Sequence, residues 1–284
     1  MRRGCLTAMT GWGDEVLMSN PLWCWQADGM CGRYAATKNS AALAVEFDAV
    51  EGEPDDLTAD YNVAPTKRVH VVLDRELEGS LTRTIEVARW GLIPSWAKDA
   101  SIGSRMINAR AETVAEKPAF RRAFAKRRCL VPADGYYEWY RPTVDGAPSG
   151  RTGKPLKQPF YIHRVDGGSL AMAGLYEWWR EPVAAVADES DAASDVWRLT
   201  CTVITTNAND DLGRIHDRMP VILDRDRWSA WLDPTLAADE AQGLLTSAGD
   251  VRLEAYPVST RVNNVRNNGP ELIAPVEAAL DGHS

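Results

Sequence analysis

Apolar and polar positions along this chain change period several times, and those changes predict an alternation of strand pairs and short helices. The run Val69-His70-Val71-Val72-Leu73 is β-branched and apolar, which predicts a strand, and residues 84–89 alternate as its hairpin partner would. Residues 129–133, 200–206 and 251–256 read as further strands, and 160–164 with 170–174 as a second hairpin around Asp166-Gly167-Gly168. Helical signals are shorter. Asn39 or Ser40 can cap a helix running through Phe47. The spacing from Thr113 to Glu116 is that of a capping box, so a helix should follow it. On that helix Phe120 and Phe124 would share one face, with Arg121, Arg122, Lys126, Arg127 and Arg128 around the other. Helices are also expected near 228–231 and 237–245. Residues 90–96 hold too many breakers to be regular, and 141–159 are rich in proline and glycine, as befits a long excursion between strands.

Nothing between residues 30 and 276 marks a domain boundary, so this span is expected to be one α+β domain built on antiparallel strand pairs, with 277–284 as a tail. Residues 1–29 carry neither period, and are expected to be a disordered leader absent from the working protein. A mis-assigned start and a propeptide both fit, because the leader's visible feature is that it precedes Met30.

The totals narrow the function classes. A chain of 284 residues with 45% hydrophobic and 25% charged residues can bury a real core. A formal net charge of -8 excludes a protein coated in positive charge, so any nucleic-acid contact must come from a local basic cleft. Acidic groups at Glu51, Glu53, Asp55, Asp56 and Asp60, and at Asp188, Glu189, Asp191 and Asp195, read as solvated loops. The five cysteines are scattered without a C-x-x-C pair, which indicates neither a zinc knuckle nor a disulfide framework; a reducing cytoplasm is expected. No apolar run reaches the roughly 18 residues of a membrane helix, and the N-terminus makes a poor signal peptide.

Candidate chemistry concentrates in a few segments. Cys31, in Met30-Cys31-Gly32-Arg33-Tyr34, has two readings: a buried thiol at the start of a strand, or the first residue of a mature chain. In the second, its amine and thiol stand on adjacent carbons. An aldehyde then condenses with the amine to an imine, which the thiol closes into a thiazolidine. While Met30 is attached the nitrogen is an amide and cannot do this. His216 lies in the polar cluster Ile215-His216-Asp217-Arg218 and can both take and give a proton near neutrality. Glu138 lies between aromatic residues, where burial would raise its pKa and make it a proton donor; a buried hydrogen-bond acceptor is the alternative. Glu177, in a similar Tyr-Glu-Trp triplet, competes for the same role. Asn108 and Arg110 would share one side of an extended segment and could bind an oxygen-rich ligand. Arg33, Arg110, Arg218, Arg261 and Arg266 stand among asparagine, proline and aromatic neighbours, the composition of a groove that tracks phosphates and stacks unpaired bases.

In chain order these segments read Met-Cys-Gly-Arg-Tyr, Tyr-Asn-Val-Ala-Pro-Thr, Trp-Gly-Leu-Ile-Pro-Ser-Trp, Asn-Ala-Arg-Ala-Glu-Thr, Ala-Asp-Gly-Tyr-Tyr-Glu-Trp, Ile-His-Asp-Arg-Met-Pro and Val-Ser-Thr-Arg-Val-Asn-Asn. The series closely resembles the SRAP family, the SOS response-associated peptidases that act as abasic-site sensors. The resemblance implies an α+β fold around a β-barrel-like core with flanking helices. It implies a monomeric protein, needing no metal or cofactor, that binds single-stranded DNA and cross-links its N-terminal cysteine to the aldehyde of an abasic site. By the same resemblance Cys31 would be the nucleophile, and Asn108 would hold the cysteine amine and the opened sugar. Glu138 and His216 would move protons. Arg33, Arg110, Arg218 and Arg261 would contact DNA, with Pro65 and Trp96 supporting it where its bases turn away. Glu177 falls in a block without a catalytic role. The alternatives are a thiol peptidase acting on other proteins and a non-covalent reader of modified DNA.

Overall fold

The computed structural model describes residues 31–140, 157–182, 196–208, 212–213, 215–245 and 251–277. The leader, most of the 141–159 excursion and the end of the tail therefore lie outside the described residues. The expected first hairpin is present as β4 (Arg68–Leu77) and β5 (Ser80–Trp90), paired Leu77 to Ser80 at the turn. Its turn residues Glu78 and Gly79 both have positive φ, 50° and 80°, which matches the twist of a two-residue hairpin. β7 (Arg128–Ala133) lies antiparallel beside β4, β10 (Leu170–Arg180) beside β7, and β11 (Trp197–Asn207) beside β10. β11 then pairs in parallel with β5, Cys201 opposite Trp90, and this closes five strands into a barrel.

A second sheet has the order β13 (Leu253–Pro257), β9 (Gln158–Arg164), β8 (Gly135–Tyr140), β1 (Tyr34–Ala36), β3 (Asp60–Val63). Strand alternation gives each sheet two faces. Tyr34, Tyr136 and Ile162 from the second sheet join Val69, Val71, Cys129, Val131, Met172, Cys201 and Val203 of the barrel in one buried cluster, and Cys31 is part of it. The opposite face of the barrel, with Val72, Leu130 and Ile204, is covered by α1 (Ser40–Phe47), α2 (Arg121–Lys126), α3 (Arg225–Leu232) and α4 (Ala238–Leu244). Phe47 stacks on Trp228 there at 4.5 Å. The expected cap of α1 is made by Asn39, whose side chain accepts from the Ala42 N–H at 2.9 Å.

Two local expectations fail for physical reasons. β9 and β10 do not form a hairpin: β9 pairs with β8 and β13 while β10 lies between β7 and β11, so the Asp166-Gly167-Gly168 turn carries the chain from one sheet to the other. The capping box at Thr113 does not open a helix either. Residues 111–120 are turns, and α2 begins only at Arg121, because Pro118 lacks an N–H and disfavours helical backbone in the residue before it.

The basic run after Phe120 divides into three environments. Arg121, Arg122 and Lys126 are exposed, while Arg127 pairs with Glu177 at 2.7 Å. Arg128 is buried, and its guanidinium donates to the carbonyls of Trp231 (2.7 Å), Phe124 (2.7 Å), Ala125 (3.1 Å), Leu236 (3.4 Å) and Asp233. It thereby ties the ends of α2 and α3 together. Replacing it by methionine keeps the bulk and strands several buried acceptors, so Arg128→Met is expected to cost about 3–5 kcal/mol in urea unfolding.

Candidate active site

Cys31 stands three residues before the start of β1, with 5% of its surface exposed. Its backbone carbonyl accepts from Asn108 Nδ2 at 3.1 Å. Asn108 opens β6 (Asn108–Arg110), which is held in parallel against β11 with Asn108 opposite Val203. Asn108 and Arg110 alternate with buried Ala109 as expected, Arg110 being exposed. Glu138 reaches the same place from β8. Burial pushes its carboxyl up to about 8, Asp217 adds to the rise, and a hydrogen bond from the Cys31 thiol pulls it partway back. The thiol itself is pushed well above its ordinary range, by burial first and by Glu138 second, while the charge of Arg218 opposes the rise. At neutral pH this site holds a carboxylic acid beside a thiol.

Arg218 opens β12 (Arg218–Pro220), which pairs with the end of β11. It is buried, and its guanidinium grips Glu112 through both terminal nitrogens, Nη1 to Oε1 at 2.6 Å and Nη2 to Oε2 at 3.0 Å. Nη1 also donates to Asn207 Oδ1 at 2.7 Å and Nη2 to the Thr205 carbonyl at 2.6 Å. Its backbone N–H lies 3.0 Å from His216 Nδ1, and the exposed Asp217 carboxylate lies 3.1 Å from the same nitrogen. His216 thus joins the cluster through Arg218.

Several polar atoms of this site lack partners. Glu138 Oε1, Asn108 Oδ1, Arg218 Nε and the Tyr136 hydroxyl are all buried side-chain atoms without a hydrogen-bond partner among the described residues. Native interiors leave few such atoms, and a group of them around one thiol indicates a place built for a polar ligand. Glu177, in contrast, is satisfied by Arg127 on another part of the barrel.

The remaining candidates lie outside this buried group. Arg33 bridges inward, donating to Asn62 Oδ1 at 2.8 Å and the Val262 carbonyl at 2.9 Å, with its guanidinium 6.0 Å from the Trp139 ring centre. It links the Cys31 segment to the loop carrying Arg261, whose exposed side chain lies 3.3 Å from Glu271. Arg266 is exposed on the same loop. Trp96 is 57% exposed. Pro65 is half-buried and precedes Thr66, a β-branched residue with φ of 73° whose N–H donates to the Trp90 carbonyl at 2.8 Å. Such backbone strain persists only where its surroundings enforce it. Two participants were not named from sequence. Tyr136 was open to detection, because it stands two residues from Glu138 on one strand. Glu112, 106 residues from Arg218, carried no local signal.

One end of the barrel therefore buries a cysteine, a protonated glutamate and an arginine together, a group that defines a candidate reactive site. Residues 30–265 match the family model for SOS response associated peptidase (SRAP), and the chain belongs to that family. It is 39% identical over 246 residues to the abasic site processing protein YoqW of Bacillus subtilis, covering 86% of this chain and 99% of that one. It is 31% identical over 289 residues to the abasic site processing protein HMCES of Gallus gallus, covering 88% and 79%. The fold is similar to the crystal structure of a protein from Bacteroides thetaiotaomicron, with a TM-score of 0.69 at 25% identity, covering 87% of this chain and all of that one.

Proposed function

We propose that this protein processes abasic sites in single-stranded DNA by forming a thiazolidine between the opened sugar and Cys31, once removal of the preceding residues has freed the cysteine amine. The observation that carries the reading is the pairing of the Cys31 thiol with a carboxyl that stays protonated to about pH 8, among buried polar atoms lacking partners.

The chemistry follows from those groups. An α-amine has a pKa of roughly 8, and the nearby Arg218 charge disfavours its ammonium form. The neutral amine adds to the aldehyde to give a carbinolamine. Glu138 gives its proton to the hydroxyl, the C–O bond breaks, and water leaves an iminium ion and a Glu138 carboxylate. That carboxylate takes the proton of the Cys31 thiol as the sulfur attacks the iminium carbon, which closes the ring and restores the acid. A raised thiol pKa suits this order, because the thiol is needed only after the carboxylate appears. The product has no free aldehyde, so β-elimination at the lesion is suppressed.

Asn108 holds the Cys31 carbonyl and has its Oδ1 free for the amine. Arg110, Arg261 and Trp96 offer exposed contacts for phosphates and a base, and Pro65 supports them at its strained turn. Arg218, buried against Glu112, acts as an electrostatic neighbour of Cys31. The same cysteine, glutamate and histidine can release the Met30 residue by nucleophilic catalysis. An oligonucleotide with one abasic site is expected to give a species that survives denaturing electrophoresis, and the same sequence with an intact base none. Equal yields from both, or no such species, would overturn the reading.

A further inference from the structure

The hydroxyl of Tyr136 is an unpartnered buried polar atom to which the chemistry above gives no role. Tyr136 and Glu138 are alternate residues of β8, so their side chains leave the sheet on one face, the face that packs into the barrel beside Cys31. Tyr136 is 1% exposed, its hydroxyl makes no hydrogen bond, and after burial the groups that most disfavour its ionisation are Cys31 and then Glu138. Tyr34 is paired with it across β1 and also has a free hydroxyl, but the charges that bear on that one are Cys201 and Asp60. Burial holds the Tyr136 phenol firmly protonated, so it is a donor. Glu138 Oε1, on the same face, is equally unpartnered. The two groups do not satisfy each other in the free protein. A ligand oxygen within reach of both would satisfy them together.

Resting on the function proposed above, we infer that Tyr136 is a second catalytic residue, whose hydroxyl hydrogen-bonds the carbinolamine oxygen while Glu138 protonates it. The oxygen uses one lone pair to accept the Glu138 proton and the other to accept the phenolic hydrogen bond. The C–O bonding pair departs with it as water, the nitrogen lone pair forms the C=N bond, and the tyrosine keeps its own proton throughout. A donor aimed at developing charge in a water-poor site is the arrangement that accelerates such a step. It also has a cost in the free protein, where the hydroxyl is buried unpaired.

Both properties are measurable with Tyr136→Phe, which removes the oxygen and keeps the ring. Protein beginning at Cys31 is mixed with saturating single-stranded abasic oligonucleotide and the rate of cross-linking followed. Affinity is measured separately with the tetrahydrofuran analogue of the site, which has no aldehyde. The variant should cross-link about 10- to 100-fold more slowly, bind the analogue within about twofold of wild type, and melt at the same or a higher temperature. An unchanged rate would overturn the assignment. So would a slower rate accompanied by lower melting temperature and weaker binding of the analogue, since that marks a structural hydroxyl. Absence of any cross-link with wild type would instead strike down the functional reading on which this assignment rests.

Discussion

Cys31→Ala and Cys31→Ser are both expected to abolish the denaturant-resistant species, each leaving a conjugate recovered only when borohydride traps it. The contrast with the wild type separates the two functional groups of one residue. Serine keeps the α-amine and so still forms the imine, but its hydroxyl is a far weaker nucleophile than sulfur and leaves the adduct reversible. Alanine also keeps the amine, so it too should give a borohydride-trapped imine and no stable product. Cys31 lies in the apolar cluster beneath β1, where loss of a single sulfur is a small volume change. Both variants should therefore remain folded, which circular dichroism checks.

Glu138→Gln should slow cross-linking by roughly 10²–10⁴-fold, the usual contribution of a positioned general acid. The pH profile carries more information than the rate. In the wild type the reaction rises as the amine loses its proton and falls above about pH 8 as Glu138 loses its own. The glutamine variant should keep the rising limb and lose the falling one. Stability should respond in the opposite sense. The carboxyl is raised from 4.5 to about 8 on folding, chiefly by burial. Between those values the folded chain retains a proton that the unfolded chain has lost, so unfolding releases a proton and stability declines as pH rises through that window. Glu138→Gln should show a flatter melting-temperature curve between pH 5 and 8, and at pH 8 it should be the more stable protein. A site that favours its ligand over its own resting state behaves in this way.

Sequence and structure agree where the determinants are local. The Asn39 cap, the β-branched run at 69–73 and the alternation of 84–89 each act within a few residues, and α1 and the β4–β5 hairpin follow from them. The barrel depends on β5 meeting β11 in parallel, more than a hundred residues apart, and nothing local encodes that pairing. Length and turn residues made β9 and β10 look like a hairpin, although each had two better partners elsewhere. The site was legible through its motifs, and Asn108, Glu138 and Cys31 do converge. The roles of the arginines were not, since guanidinium function depends on what lies against it. Arg128 collects helix carbonyls and Arg218 grips Glu112, whereas Arg110 is exposed. From sequence, the choice between Glu138 and Glu177 came from the family resemblance alone; in the structure Arg127 pairs with Glu177.

The most direct test is the intact mass of the conjugate formed with a single-stranded abasic oligonucleotide, before and after borohydride. The expected mass is that of a protein beginning at Cys31 plus the oligonucleotide less one water, unchanged by borohydride because a thiazolidine has no C=N bond to reduce. A conjugate that still begins at Met1 or Met30, or one that gains two hydrogens on reduction, would contradict a ring closed by the freed cysteine.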